Sequence, residues 1–67
     1  MFELSMKKMG AAMLVAEVES FKQLAALSGV SVNTISRLNN GGSAKLSTIQ
    51  ALAKALHVDP AELLEEV

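Results

Sequence analysis

The side chains able to do chemistry are few, and their spacing tells more than their number. One histidine (His57), one aspartate (Asp59) and one arginine (Arg37) occur, with no cysteine, tyrosine or tryptophan. Catalysis needs a nucleophile, a base and an orienting group converging in a pocket. A 67-residue chain with this inventory is not expected to be an enzyme. Cysteine-based zinc sites and disulfide stapling are excluded by the missing thiols. His57 lies just past an apolar-periodic stretch, where a helix dipole favours a cation. It therefore reads as a helix-end residue, and no metal, cofactor or small-molecule ligand is expected. What remains is a polar helix face. Val32, Asn33, Ser36, Arg37 and Asn40 share one side at helical spacing, while Ile35 and Leu38 take the other. That outer side is compact and acid-free, with short side chains at its N-terminal end, the end by which a recognition helix enters a major groove.

Charge is distributed to suit such a surface. The net charge of −1 conceals three blocks. Residues 1–19 sum to −1, residues 20–58 carry Lys22, Arg37, Lys45 and Lys54 for +4, and residues 59–67 carry Asp59, Glu62, Glu65 and Glu66 for −4. A stretch of 39 residues without a carboxylate is what a surface facing a polyanion requires, since a carboxylate would repel phosphate. The acidic tail reads as a solvated helix face.

These residues need elements to position them. The length fits one domain spanning residues 1–67, small enough to need efficient packing or a partner subunit. Ten alanines and ten leucines, with few aromatic or β-branched residues, favour helices over strands. Lys7-Lys8 before the apolar Met9–Ala16 has the outline of a secretory leader, but Glu3, the short apolar run, Glu17 and Glu19 argue against it. No run approaches the ~20 apolar residues of a membrane span. The segment reads instead as an amphipathic helix from about Glu3 to Ala16. Phe2, Met6, Met9, Met13 and Ala16 form its apolar stripe, with Leu14 and Val18 on the flank.

Four more helices follow. Ser20-Phe21-Lys22-Gln23 has the pattern of a capping box and opens a helix that carries Leu24, Ala25 and Leu27 inward and stops at Gly29. Ser31 caps a third helix over Val32 to Asn39, ended by Asn39-Asn40-Gly41-Gly42-Ser43. Leu46, Ile49, Leu52, Ala53 and Leu56 space a fourth over Leu46 to Leu56. Asp59-Pro60-Ala61-Glu62 opens a fifth, with Leu63, Leu64 and Val67 as its apolar side. The expected fold is all-α, a bundle of five short helices. Helices two and three, joined by Ser28-Gly29-Val30-Ser31, form a helix-turn-helix. Ala25 stands four before the glycine, where two steeply crossing backbones need a small residue. Val30, Ile35 and Leu38 pin the second helix to the core.

Leu24-Ala25, Ser28-Gly29-Val30-Ser31, Thr34-Ile35-Ser36-Arg37-Leu38 and Asn40-Gly41 resemble the lambda-repressor-like, Cro-like (XRE-type) helix-turn-helix family. The likeness resumes in Leu46-Ser47-Thr48-Ile49, Leu52 to Val58, Asp59 and Glu62-Leu63-Leu64, covering about 45 residues. The resemblance implies a cytoplasmic, repressor-like regulator of phage or bacterial type that binds double-stranded DNA as a homodimer on a partly palindromic operator. It implies that Val32, Asn33, Thr34 and Arg37 face base edges, with Ser31 and Ser36 on the same surface. Asn40 and Lys45 would meet backbone phosphate, and Lys22 and Gln23 would lie over the backbone at a helix N-terminus. The chain departs from the family at Phe21, where glutamine is common, at Ala44-Lys45, where proline–serine is frequent, and at His57, which replaces a frequent glycine and so meets a left-handed backbone. The candidate dimer surfaces are the C-terminal Leu63, Leu64 and Val67, which are favoured, and the Met face of helix one. That Met-rich face also resembles antitoxins of addiction modules. The alternative reading is therefore a protein-interaction module with a toxin-like partner and DNA binding secondary or lost.

Overall fold

A computed structural model of the chain describes residues 2–65. Among them are four α-helices, α1 (Met6–Val15), α2 (Phe21–Ser28), α3 (Val32–Asn39) and α4 (Leu46–Leu56), and a 3-10 helix at Pro60–Leu63. Two short strands, β1 (Phe2–Glu3) and β2 (Ser43–Ala44), pair antiparallel with Phe2 opposite Ala44 and Glu3 opposite Ser43. The fold is thus mostly helical rather than all-α, and α-helices number four rather than five among the described residues. None of them is long and apolar enough to cross a membrane.

Both departures from the expected five-helix bundle trace to the N-terminal segment, which pairs with β2 in mid-chain and with Leu64 near the other end. Phe2 and Glu3 are committed to β2, so the first helix begins late, at Met6. Ser5 caps it, its hydroxyl oxygen accepting from the Lys8 N–H at 3.2 Å. At the other end Asp59 opens a helical turn as expected. Its carboxylate accepts from the Ala61 N–H at 2.9 Å, and Glu62 accepts from the Asp59 N–H at 3.2 Å. Leu64 then turns extended, with φ −85° and ψ 146°, and bridges Leu4. The Ser5 N–H donates to the Leu63 carbonyl at 2.8 Å, and the Glu65 N–H donates to the Glu3 carbonyl at 2.9 Å. Backbone groups that a longer helix would pair internally are taken by the N-terminal segment.

The core draws on every α-helix. Met9, Leu24, Ile35, Leu38, Ile49, Leu52 and Leu63 are its largest fully buried side chains. The expected methionine stripe is only half inward. Met13 and Ala16 pack beside buried Met9, but Phe2 and Met6 are exposed. Leu14 is exposed while Val18 is buried. Leu27, expected inward on α2, and Leu46, at the first position of α4, also face solvent. Leu63 is buried within its own chain and Leu64 packs against the core, so neither is free as the expected dimer surface. Val67 and Glu66 lie outside the described residues.

Three of the four described α-helices stop in a common way. α1, α3 and α4 are each closed by a six-to-one backbone bond: Val18 N–H to Met13 O at 2.9 Å, Gly42 N–H to Arg37 O at 3.2 Å, and Val58 N–H to Ala53 O at 3.0 Å. Two non-glycine residues take the left-handed position, Glu17 at φ 60° and His57 at φ 59°. The second was expected from the sequence, the first was not.

Candidate nucleic-acid interface

The helix-turn-helix is built from local signals that agree. Ser20 caps α2, its oxygen accepting from the Gln23 N–H at 3.1 Å. Gln23 reaches back as expected, but one residue further, its Oε1 accepting from the Glu19 N–H at 3.0 Å. Gly29 closes α2 at φ 77°, its N–H donating to Ala25 O at 2.9 Å. The Ser28 hydroxyl oxygen then accepts from the Val30 N–H at 3.2 Å, which fixes the turn before the next cap. Ala25 and Val30 pack against the core between the two helices. Phe21 packs there too and is half-buried. It contributes apolar contact where the family pattern has a hydrogen-bonding side chain.

α3 presents its face from this frame. Ser31 caps it, accepting from the Thr34 N–H at 3.2 Å, and the Ser31 hydroxyl donates to Thr34 Oγ1 at 2.9 Å. Ile35 and Leu38 are fully buried and hold the inner side. Val32, Asn33 and Arg37 are exposed, and Thr34 and Ser36 are half-buried. Asn40 is exposed as the helix cap rather than within the helix, its N–H shared between Ser36 O and Arg37 O. The end of α3 is held tightly. The Arg37 carbonyl accepts from Gly42, and a Cβ on Gly42 would stand 3.1 Å from that oxygen. In the sequence the two glycines read only as helix-ending punctuation. Their adjacency was the available signal that the backbone under Arg37 is closely packed.

The remaining expected positions lie on neighbouring elements. Lys22 and Gln23 are exposed in the first turn of α2, which packs on both α3 and α4. Lys45 is exposed at the N-cap of α4 and makes no side-chain cap. Each of the ten expected positions is thus at least partly open to solvent, and Ser31 and Thr34 are directly joined. No carboxylate lies on α2, α3, α4 or their connections. The arrangement can place hydrogen-bond donors and cations against a polyanion without an opposing charge. Among the described residues no group of three or more histidine, cysteine or acidic side chains is placed to hold a metal ion.

Comparison with known proteins agrees with this geometry. Residues 11–67 match the family model of a Cro/C1-type HTH DNA-binding domain. Among solved structures, a point mutant of hydroxyethylphosphonate dioxygenase is similar, with a TM-score of 0.82 and 25% identity, covering 97% of this chain. The chain spans 14% of the length of that enzyme. No curated protein matches it.

Proposed function

The chain belongs to the Cro/C1-type helix-turn-helix DNA-binding domain family, and from that premise we propose that it is a repressor-like transcriptional regulator reading a partly palindromic operator as a homodimer. The observation that carries the proposal is the acid-free, exposed face of α3, with Asn33 and Arg37 one turn apart behind a capped N-terminus. The Arg37 guanidinium pairs with guanine O6 and N7, the Asn33 carboxamide with adenine N6 and N7, and Val32 meets a thymine methyl. Thr34 Oγ1 already accepts from Ser31, which leaves the Thr34 side chain for an apolar or phosphate contact. Gln23 Oε1 is taken by the Glu19 N–H, so its amide NH2 is the group that donates to phosphate. Lys22, Asn40 and Lys45 supply further backbone contacts.

Four cations in the acid-free block make one copy a weak binder, because affinity grows with the phosphates neutralised. Two copies on paired half-sites double that charge and match the symmetry of the fold class. The output is occupancy of DNA rather than chemistry, and the site of action is the cytoplasm. The competing reading, a protein-interaction module with a toxin-like partner, is favoured by the exposed Leu14 and Val15 of α1.

Selection from random duplexes followed by gel shifts at two salt concentrations separates the two readings. The expected result is an enriched, salt-sensitive site, with Arg37→Ala losing about 1–3 kcal/mol and relaxing preference at one position. No enriched sequence, or an Arg37→Ala variant that binds like wild type, would sink the proposal.

A further inference from the structure

The backbone from which the Arg37 side chain sets out is gripped from one side by the turn that follows α3. The Arg37 carbonyl accepts from two N–H groups, Asn40 at 3.1 Å and Gly42 at 3.2 Å. Gly10, Gly29 and Gly41 could each carry a Cβ with nothing within 4 Å among the described residues, but Gly42 could not. A Cβ there would meet Arg37 three times: its carbonyl oxygen at 3.1 Å, its carbonyl carbon at 3.5 Å and its Cγ at 3.5 Å. Gly29 and Gly41 have positive φ, which by itself calls for glycine, whereas Gly42 does not. Residue 42 is therefore bare because Arg37 lies so close to it, backbone and stem together.

We propose that Gly42 is a positioning residue for Arg37: its bare Cα lets β2 start directly against the last turn of α3 and sets the direction in which the guanidinium leaves the helix. The inference rests on the reading of Arg37 as the side chain that pairs with guanine, and it names what aims that side chain. Both sides of the contact are anchored. On the α3 side, Ile35 and Leu38 are fully buried. On the other, Ser43 and Ala44 pair with Glu3 and Phe2, and Ala44 is itself buried. β1 is tied in turn, the Ser5 N–H donating to the Leu63 carbonyl and the Glu65 N–H to the Glu3 carbonyl. A methyl at position 42 thus presses from an element that is backed, and the yielding of a few tenths of an ångström falls on the end of α3. The guanidinium ends a long stem, so a small tilt at the Arg37 Cα is magnified at its nitrogens. Bidentate pairing with a base edge tolerates only about 0.5 Å of misplacement. Asn33 stands one turn earlier, and Lys22 and Gln23 lie on another helix, so their contacts are spared. The effect of residue 42 is confined to one base pair.

Affinities for a selected duplex, and for duplexes changed one base pair at a time, test this on wild type, Arg37→Ala, Gly42→Ala, Gly41→Ala and the double variant Arg37→Ala with Gly42→Ala. Arg37→Ala identifies its base pair as the one at which preference flattens. At that pair Gly42→Ala is expected to lose about fivefold or more of the wild-type discrimination. Preferences at the other pairs stay within about twofold of wild type. Gly41→Ala, strained at φ 95° but touching nothing, lowers the melting temperature and keeps the preference at the Arg37 pair. In the double variant Gly42→Ala changes preference by no more than about twofold beyond Arg37→Ala alone. Unchanged discrimination in Gly42→Ala, or weakening that is equal on every duplex, overturns the proposal while leaving base reading by Arg37 intact. Preferences untouched by Arg37→Ala overturn both. Side-chain scalar couplings of Arg37 in the free wild-type protein test the positioning without requiring any variant to fold. One dominant χ1 rotamer is expected for a stem held beside Gly42, and averaging like that of exposed Lys54 overturns it.

Discussion

Ser31 offers a test that separates folding from recognition at a single atom. Its oxygen caps α3 by accepting from the Thr34 N–H at 3.2 Å, and it stands exposed at the end of α3 proposed to enter the groove. Ser31→Ala removes the cap, which costs about 1 kcal/mol. The hydroxyl's bond to Thr34 Oγ1 is solvent-exposed and adds little. In a domain of this size that loss lowers the melting temperature by about 4–8 °C. Ser31→Asp keeps an acceptor at the cap and adds a favourable interaction with the helix dipole of about 0.3–1 kcal/mol, so the fold should be as stable as wild type or slightly more so. On DNA the two variants reverse. A carboxylate about 6 Å from a phosphate is repelled by about 0.7 kcal/mol in water and about 3 kcal/mol at a partly desolvated surface. Each half-site then loses about three- to 150-fold in affinity, with the larger loss at low salt. Thermal unfolding followed by circular dichroism gives the first quantity, and fluorescence anisotropy on a selected duplex at two salt concentrations gives the second. A folded Ser31→Asp protein that binds as tightly as wild type would refute the placement of the α3 N-terminus on DNA.

Two backbone predictions follow from the helix ends. His57 is exposed and left-handed at φ 59°, a conformation that costs an L-residue about 1–2 kcal/mol. Glycine regains most of this against its larger unfolded-state entropy, so His57→Gly should raise stability by about 0.5–1 kcal/mol, read from urea midpoints at unchanged m-value. Gly29→Ala and Gly42→Ala probe different costs. A Cβ at Gly29 meets nothing within 4 Å, so only its φ of 77° is penalised, by about 1 kcal/mol. A Cβ at Gly42 would press on the Arg37 carbonyl oxygen at 3.1 Å. Gly42→Ala should therefore loosen the end of α3 and increase amide exchange at Asn40 and Gly41, which Gly29→Ala should leave unchanged.

What could be read from the sequence was what is written locally. The bounds of α2, α3 and α4 follow from Ser20, Gly29, Ser31, the Asn-Asn-Gly-Gly run and the apolar period of α4, each a signal within one or two turns. The start of α1 was hidden because Ser5 has Lys8, not glutamate, three residues on, so its cap carries no capping-box pattern. The β1–β2 ladder and the Leu4–Leu64 bridge join residues far apart in the chain. No short-range period announces such pairing, and it is the pairing that shortens both ends. Periodicity places Val32, Asn33, Ser36, Arg37 and Asn40 on the side opposite the buried Ile35 and Leu38, whereas Lys22, Gln23, Ser31, Thr34 and Lys45 were legible as contact positions only through the family resemblance. What periodicity did not give was the internal use of polar groups, such as Gln23 on Glu19 and Ser31 on Thr34, since hydrogen-bond partners depend on rotamers rather than spacing.

The claim that α3 with the start of α2 is the DNA-facing surface is tested most directly by titrating isotopically labelled protein with a duplex carrying one selected half-site, followed by amide chemical shifts. The account predicts that the largest changes fall on Lys22, Gln23, Ser31, Asn33 and Arg37, with Leu14 and Val15 of α1 unmoved. Changes centred on α1, with the amides of α3 unmoved at saturating DNA, would contradict it.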